Sequence, residues 1–347
     1  MRRRLLKKAQ NTVPDQRDLL LANPVLTNRV LTNRARQAFR TQLLNWYDAN
    51  KRDLPWRKNH DPYRVWLSEI MLQQTRVSAV IQKYNKFLEL FPTVEALAEA
   101  RSEAVLAAWS GLGYYRRARA LHAAAQTIAR ELGGKFPSTA KDLQSLPGIG
   151  RYTSAAISSI AYGESVAVVD GNVERVAERL SGRSLPIAQV WEFAEGLLSP
   201  ERSGDFNQAM MELGATVCVP GEPKCLACPV AKFCRARGNV VSDKKPQRTT
   251  KATVFYALDC AGGKVRLAQR AKTAAVMPSM WELPEFVPET ADPEVCLRLK
   301  HSITTTNYDV RVVRKTKRVG KLVAVAKLEE IPLTGLARKI LRAAEIL

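Results

Sequence analysis

No apolar run in this 347-residue chain approaches the ~18 residues needed to cross a bilayer, so nothing in it reads as a membrane span. The opening stretch, Met1-Arg2-Arg3-Arg4-Leu5-Leu6-Lys7-Lys8, is basic but lacks the apolar core of a secretory signal, and a cytoplasmic protein is expected by default. No internal repeat is visible. Acidic residues are in short supply: 33 Asp and Glu stand against 54 Lys and Arg, a formal charge of +21. Such an imbalance points to a polyanion as partner, nucleic acid ahead of a membrane surface. Cysteine is scarce outside one place, since four of the six crowd between Cys218 and Cys234. In a reducing compartment that clustering suggests a metal centre rather than disulfides.

What the chain does have is two kinds of pattern in sequence. Its length alone favours two domains. Residues 1–34 are polar, basic and weakly periodic, and are expected to form a flexible arm. From Ala35 to about Gly238 apolar residues recur at helical spacing, as in Phe39, Leu43, Leu44 and Tyr47, or Val80, Ile81, Tyr84, Phe87 and Leu88. Gly and Pro fall mainly between these segments, which indicates an all-helical domain. Residues 239–250 read as a charged linker. Strand-like runs then appear at Thr253–Leu258, Val265–Gln269, Val310–Val313 and Leu322–Ala326, with Gly262-Gly263 suited to a hairpin turn and Leu333–Leu347 to a closing helix. The tail, 251–347, is therefore expected to be a small α+β domain.

Two motifs carry chemistry. Leu146-Pro147-Gly148-Ile149-Gly150 separates two helical patterns, the first with Ser138 as its N-cap and the second running from Tyr152 to Tyr162. Two glycines around one apolar residue permit positive φ and close backbone approach, and a helix N-terminus beyond them can hold a phosphate. Further on, the apolar stretch Val166–Val169 delivers Asp170-Gly171-Asn172 towards a low-dielectric site, where a carboxylate needs hydrogen-bond partners or a task. Asp170 or Asn172 could equally cap the helix that follows. Cys218, Cys225, Cys228 and Cys234 form C-x6-C-x2-C-x5-C, four thiolates that suit structural zinc or an iron–sulfur cluster alike.

Leu-Pro-Gly-x-Gly followed at this distance by Val169-Asp170-Gly171-Asn172-Val173-x-Arg175 resembles the helix–hairpin–helix DNA glycosylase superfamily, and within it the adenine DNA glycosylase (MutY) family. Leu54-Pro55-Trp56-Arg57, Glu69-Ile70-Met71-Leu72-Gln73-Gln74-Thr75, Gly111-Leu112-Gly113-Tyr114-Tyr115 and Phe206-Asn207-Gln208-Ala209 agree with that resemblance, which runs from about Phe39 to Cys234.

The resemblance implies excision of adenine mispaired with 8-oxoguanine or guanine in duplex DNA, with no membrane partner and a monomeric state. It implies Glu69 as general acid at adenine N7, Asp170 as the carboxylate that stabilises positive charge on the sugar, and Asn172 as a residue that orders the site. Glu69 shares a helix face with Trp66, Ile70 and Gln73, so an apolar setting should make it hold its proton. Tyr152 stands where the related endonuclease III family carries lysine, and no lysine occurs from Leu146 to Asp170. A monofunctional enzyme is therefore expected. Arg52, Gln74, Thr75, Tyr114, Gly148, Gly150, Gln208 and Thr304 are the expected DNA contacts, with Gln74 and Tyr114 entering the base stack. The cysteine spacing matches the family's [4Fe–4S] cluster. The tail resembles the family's Nudix-like lesion-reading domain but lacks a Glu-rich Nudix box, and His301-Ser302-Ile303-Thr304-Thr305 replaces the usual Phe-Ser-His reader. Two other readings stand beside this one: a thymine or uracil mismatch glycosylase of the same superfamily, and a non-catalytic DNA-binding iron–sulfur protein.

Overall fold

The computed structural model describes residues 32–238, 249–290, 293–303, 305–315 and 319–347. The expected arm, but for residues 32–34, and the expected linker, but for residues 249 and 250, lie outside the described residues.

The helical part opens with α1 (Asn33–Asn50), started by Thr32, whose side chain accepts from the Ala35 amide. α2 (Pro62–Leu72) starts the same way: Asp61 accepts from the Arg64 amide and Pro62 occupies the first turn, where its missing N–H costs nothing. There follow α3 (Val77–Leu90), α4 (Val94–Glu99), α5 (Ser102–Ala108), α6 (Arg116–Glu131), α7 (Ala140–Leu143), α8 (Arg151–Tyr162), α9 (Gly171–Ser181), α10 (Ile187–Leu197) and α11 (Ser203–Thr216). The apolar periodicity seen in the sequence is the buried face of these helices. Phe39, Leu43, Leu44 and Tyr47 are buried, as are Val80, Tyr84 and Phe87, while Ile81 and Leu88 pack at the margin.

These helices build two cores side by side. One gathers α2 to α8 around Trp66, Phe87, Trp109 and Ile157; the other gathers α1, α9, α10 and α11 around Phe39, Val176 and Phe206. The chain crosses between them in the extended segment before Asp170. There Val168 is buried in the first core while Ala167 and Val169 are buried in the second, the two-residue alternation of an extended backbone. Burying each valine stabilises this path by roughly 1.5–3 kcal/mol. Asn207 of α11 pins the same segment, accepting from Val168 N at 3.1 Å and donating to Val166 O at 2.8 Å. Asp170 thus arrives at the seam of the two cores.

The tail contains β1 (Thr250–Leu258), β2 (Cys260–Ala261), β3 (Lys264–Gln269), β4 (Trp281–Glu282), β5 (Leu297–Ile303), β6 (Thr306–Arg314), β7 (Lys321–Ala324) and α12 (Gly335–Ala343). One sheet has the order β1-β6-β5, with β1 parallel and β5 antiparallel to β6; the other joins β2, β4 and β7 to β3. Gly262 and Gly263, both at positive φ, make the expected two-residue turn between β2 and β3. α12 buries Leu336, Ile340 and Leu341 in the core shared by these strands. The tail docks on the helical part through buried groups: Tyr115 donates to Leu333 O at 3.0 Å, and Arg338 Nε donates to Ser110 Oγ at 3.0 Å.

Several local expectations change. The cap before the hairpin is Thr139, whose hydroxyl accepts from Asp142 N, because α7 begins one residue later than Ser138 would set. The strand expected to reach Ala326 ends at Ala324, where the chain tightens into a 3-10 turn bonded to Gly263 O. The closing helix is shorter than Leu333–Leu347, since Thr334 caps it and Glu345 sits at positive φ beyond it. His301-Ser302-Ile303 forms the end of a strand, paired with Tyr308, Asn307 and Thr306.

Candidate active site

A cavity of about 690 Å³ opens at the seam, within the ~300–1,000 Å³ usual for a ligand site. The C-terminal end of α2 supplies Glu69, Gln73, Gln74 and Thr75; α8 supplies Tyr152; the start of α9 supplies Asp170 and Asn172; α11 supplies Gln208 and Glu212; and Arg52 and Arg57 close one end. All four residues expected to do chemistry therefore meet here, together with Arg52, Gln74, Thr75 and Gln208. Gly148, Gly150 and Tyr114 do not line the cavity, and Thr304 lies outside the described residues.

Glu69 is 5% exposed. Burial pushes its carboxyl up to about 7; the Tyr152 hydroxyl and Arg57 pull the other way, and the charge of Asp170 adds to the rise. Tyr152 donates to Oε2, and no described residue bonds Oε1. Tyr152 holds its own proton, its pKa raised first by burial and then by the two carboxylates. An acid whose pKa is raised to about 7, with one unengaged oxygen over a cavity, is the arrangement a proton donor needs.

Asp170 is also the N-cap of α9, so the capping role and the site role coincide. Its Oδ1 accepts from the amides of Asn172 and Val173 at 2.9 and 2.8 Å, and its Oδ2 from the Asn172 side chain at 2.8 Å. Burial raises its pKa, against the pull of those amides, the Asn172 side chain and Arg175. Asn172 is held in turn by Arg175, which also binds Gly214 O and Cys218 O. α9 can come this near α11 only because residue 214 is glycine: a Cβ there would stand 2.6 Å from that of Asn172.

Sequence reasoning passed over the opposite end of the cavity. Glu212, whose side chain is 1% exposed, takes Arg52 Nε at 2.6 Å and Arg57 Nη2 at 2.8 Å. Burial alone would raise Glu212, but hydrogen bonds from the two guanidinium groups, and their charge, hold it down to about 2. Arg52 is thus engaged by Glu212 rather than standing free for DNA. Glu212 follows Gln208 by one helical turn on α11, a signal that has meaning only once α11 is known to face the cavity with Arg52 and Arg57. Asn207, quoted only as part of a motif, is the pin of the Asp170 segment.

In the hairpin, Gly148 alone uses positive φ (74°), and a Cβ there would meet that of Ala120 at 2.4 Å. Gly150 has an extended backbone, correcting the expectation for the second glycine; it caps α8 with no side-chain acceptor, which leaves the first-turn amides of α8 without a side-chain cap. Gln74 and Tyr114 are exposed, Tyr114 by 53%, so Tyr114 is no core aromatic; Tyr115 is.

Cys218, Cys225, Cys228 and Cys234 are unpaired and partly buried. Burial raises the Cys228 thiol to about 11, and the three other thiols add to that rise. Among the described residues no group of three or more His, Cys, Asp or Glu closes on a single metal ion. Arg179 donates to Cys218 Sγ at 3.3 Å, a cation placed beside a would-be thiolate. Four soft donors with a neighbouring positive charge fit a thiolate-bound metal centre.

The family described as "HhH-GPD superfamily base excision DNA repair protein" matches residues 67–186, the stretch from α2 to the loop before α10. The human adenine DNA glycosylase is 49% identical over 222 residues, covering 60% of this chain and 41% of that protein. The adenine DNA glycosylase of Arabidopsis thaliana is 38% identical over 303 residues, covering 72% of this chain and 48% of that one. A solved structure of a thermostable thymine-DNA glycosylase superposes with a TM-score of 0.56 at 32% identity, covering 60% of this chain and 99% of that one. A helical lobe with this hairpin and a two-carboxylate cavity defines a base excision repair protein of the helix–hairpin–helix class. The chain belongs to that superfamily, and within it is similar to the adenine DNA glycosylases. It spans less than half the length of the two curated relatives just described.

Proposed function

We propose that this chain is a monofunctional DNA N-glycosylase that excises adenine mispaired with 8-oxoguanine or guanine, acting as a monomer on duplex DNA. The observation that carries the reading is the buried Glu69, its carboxyl pushed up to about 7, sharing one cavity with Asp170. Adenine leaves poorly as an anion, and a proton from Glu69 to N7 removes that barrier. As the glycosidic bond breaks, positive charge grows on the sugar, and Asp170 with its ring of donors supplies the opposing charge. The base must first leave the stack, at a cost of a few kcal/mol, and Gln74 and Tyr114 would fill the gap. Amides at the start of α8, beyond Gly148 and Gly150, suit a backbone phosphate. Tyr152 offers no amine, so the chain forms no Schiff base with the sugar, and borohydride trapping should yield no abundant covalent adduct.

Cys218, Cys225, Cys228 and Cys234 would hold a [4Fe–4S] cluster, which when bound cross-links the loop between α11 and the tail. A broad visible absorption with four irons per chain would accompany it. The tail would read the opposite base with Ile303-Thr304-Thr305, where Ile303 takes the place of an aromatic residue.

Adenine is preferred over thymine because the human adenine glycosylase is 49% identical against 32% for the thymine enzyme. Single-turnover cleavage of duplexes carrying A opposite 8-oxoguanine, A opposite G, T opposite G and U opposite G tests the proposal. Loss of adenine alone is expected, and removal of T or U with A left in place would overturn it.

A further inference from the structure

Arg117, in the first turn of α6, spends its guanidinium on backbone rather than on an acid. Nη1 donates to Ile70 O and Met71 O at 2.6 and 3.1 Å. Nη2 donates to Thr75 Oγ1, Leu112 O and Gly113 O at 3.1, 3.0 and 3.3 Å. Its carbon lies 5.5 Å from the ring centre of Trp109 and 5.4 Å from that of Tyr114. No carboxylate among the described residues pairs with it, and burial lowers its pKa to about 10.

The acceptors belong to two separate pieces of chain. Ile70 and Met71 are in the last turn of α2, whose carbonyls have no helical partners, and Thr75 lies just past it. Leu112 and Gly113 precede α6. Each piece carries one exposed, non-glycine residue in the left-handed region, Gln74 at φ 54° and Tyr114 at φ 48°. Such backbone persists only where neighbouring contacts impose it. One planar, five-donor group reaching both pieces provides that constraint, and a lysine, a point charge, could not.

We propose that Arg117 is a positioning residue for base extrusion, a strut that fixes the spacing of the two tips, Gln74 and Tyr114, that enter the base stack. This rests on the glycosylase reading given above. The strut also reaches the end of the helix bearing Glu69, so its distinctive effect lies in the substrate. A base already unstacked needs little extrusion, whereas a stacked base needs all of it.

The test compares Arg117→Lys and Arg117→Met with the unaltered chain in single-turnover excision. One substrate holds the target base stacked in duplex; the other holds it in a bulge. Each variant should lose at least about tenfold on the stacked substrate and less than about twofold on the bulged one. Because the ratio is read within one preparation, any loss of folded protein cancels. In a Glu69→Gln background, 2-aminopurine at the target position should brighten on binding with Arg117 present and remain quenched in both variants. Equal losses on the two substrates, no loss on either, or full rescue by lysine would overturn the strut. If the unaltered chain removes no base from any duplex, the glycosylase reading fails instead, and the fluorescence arm still reports on Arg117.

Discussion

The two ends of the cavity hold the same kind of side chain in opposite states. Glu69 and Glu212 are both glutamates with almost no exposure, yet one is pushed up to about 7 and the other held down to about 2. Burial acts in the same direction on both. What differs is the company: Glu212 receives two guanidinium groups within 2.8 Å, whereas Glu69 receives a phenol and the electrostatic field of a second carboxylate. The ion-paired end is built to stay charged and rigid, and the other to keep a proton it can give away. Chemistry and anchoring are thus separated within one cavity by the placement of Arg52 and Arg57, not by residue type.

That contrast can be broken one side chain at a time. Glu69→Gln removes the proposed proton donor and should slow single-turnover excision by about 10²–10⁴ with DNA affinity retained. Asp170→Asn should cost about 10²–10³ in the same assay. Because Asn caps helices as well as Asp does, its thermal midpoint should barely move, which separates the site role from the cap. Glu212→Gln leaves two arginines without their acid. Arg52 is 38% exposed, so the loss falls between that of a buried and a surface pair, about 2–3 kcal/mol by denaturant unfolding. The signs of pH dependence are opposite at the two ends. Glu212, depressed in the fold, stabilises above pH ~4.5 and loses that contribution as pH falls towards 2. Glu69, raised in the fold, favours folding below pH ~4.5 and loses about 3 kcal/mol of that as pH rises through 7. Glu212→Gln should flatten the acid side of the stability curve and Glu69→Gln the neutral side. The smallest effect is that of Tyr152→Phe. Losing its hydrogen bond removes a pull towards ionisation, so the descending limb of the pH–rate profile should move up by at most about one unit.

The helices and strands were largely legible because burial follows period: Phe39 to Tyr47 and Val80 to Phe87 lie on core faces as their spacing implies. The apolar setting of Glu69 and Asp170 was legible for a related reason, each being an acid in an apolar local sequence, while their proposed roles come from the resemblance. Glu212 and Asn207 were not, since an acid and an amide on an ordinary amphipathic helix declare a role only when α11 is seen to face Arg57 and the Asp170 segment. Arg117 stayed hidden for the same reason. Nothing local foretells positive φ at Gln74 or Tyr114; it comes from contacts that join chain positions some forty residues apart. Ser138 and Gly150 were misjudged on single-residue questions, a cap one position off and a glycine whose backbone is extended rather than left-handed.

The central claim is that Glu69 is protonated near neutral pH while Glu212 is not. Carbon-13 NMR titration of glutamate carboxyl groups in the intact chain, with Glu69→Gln and Glu212→Gln identifying the two signals, measures this directly. The account predicts that the resonance lost in Glu69→Gln titrates with a midpoint near 7, and that the one lost in Glu212→Gln stays ionised down to about pH 3. A Glu69 midpoint of about 4–5, that of an ordinary solvated carboxyl, would contradict it.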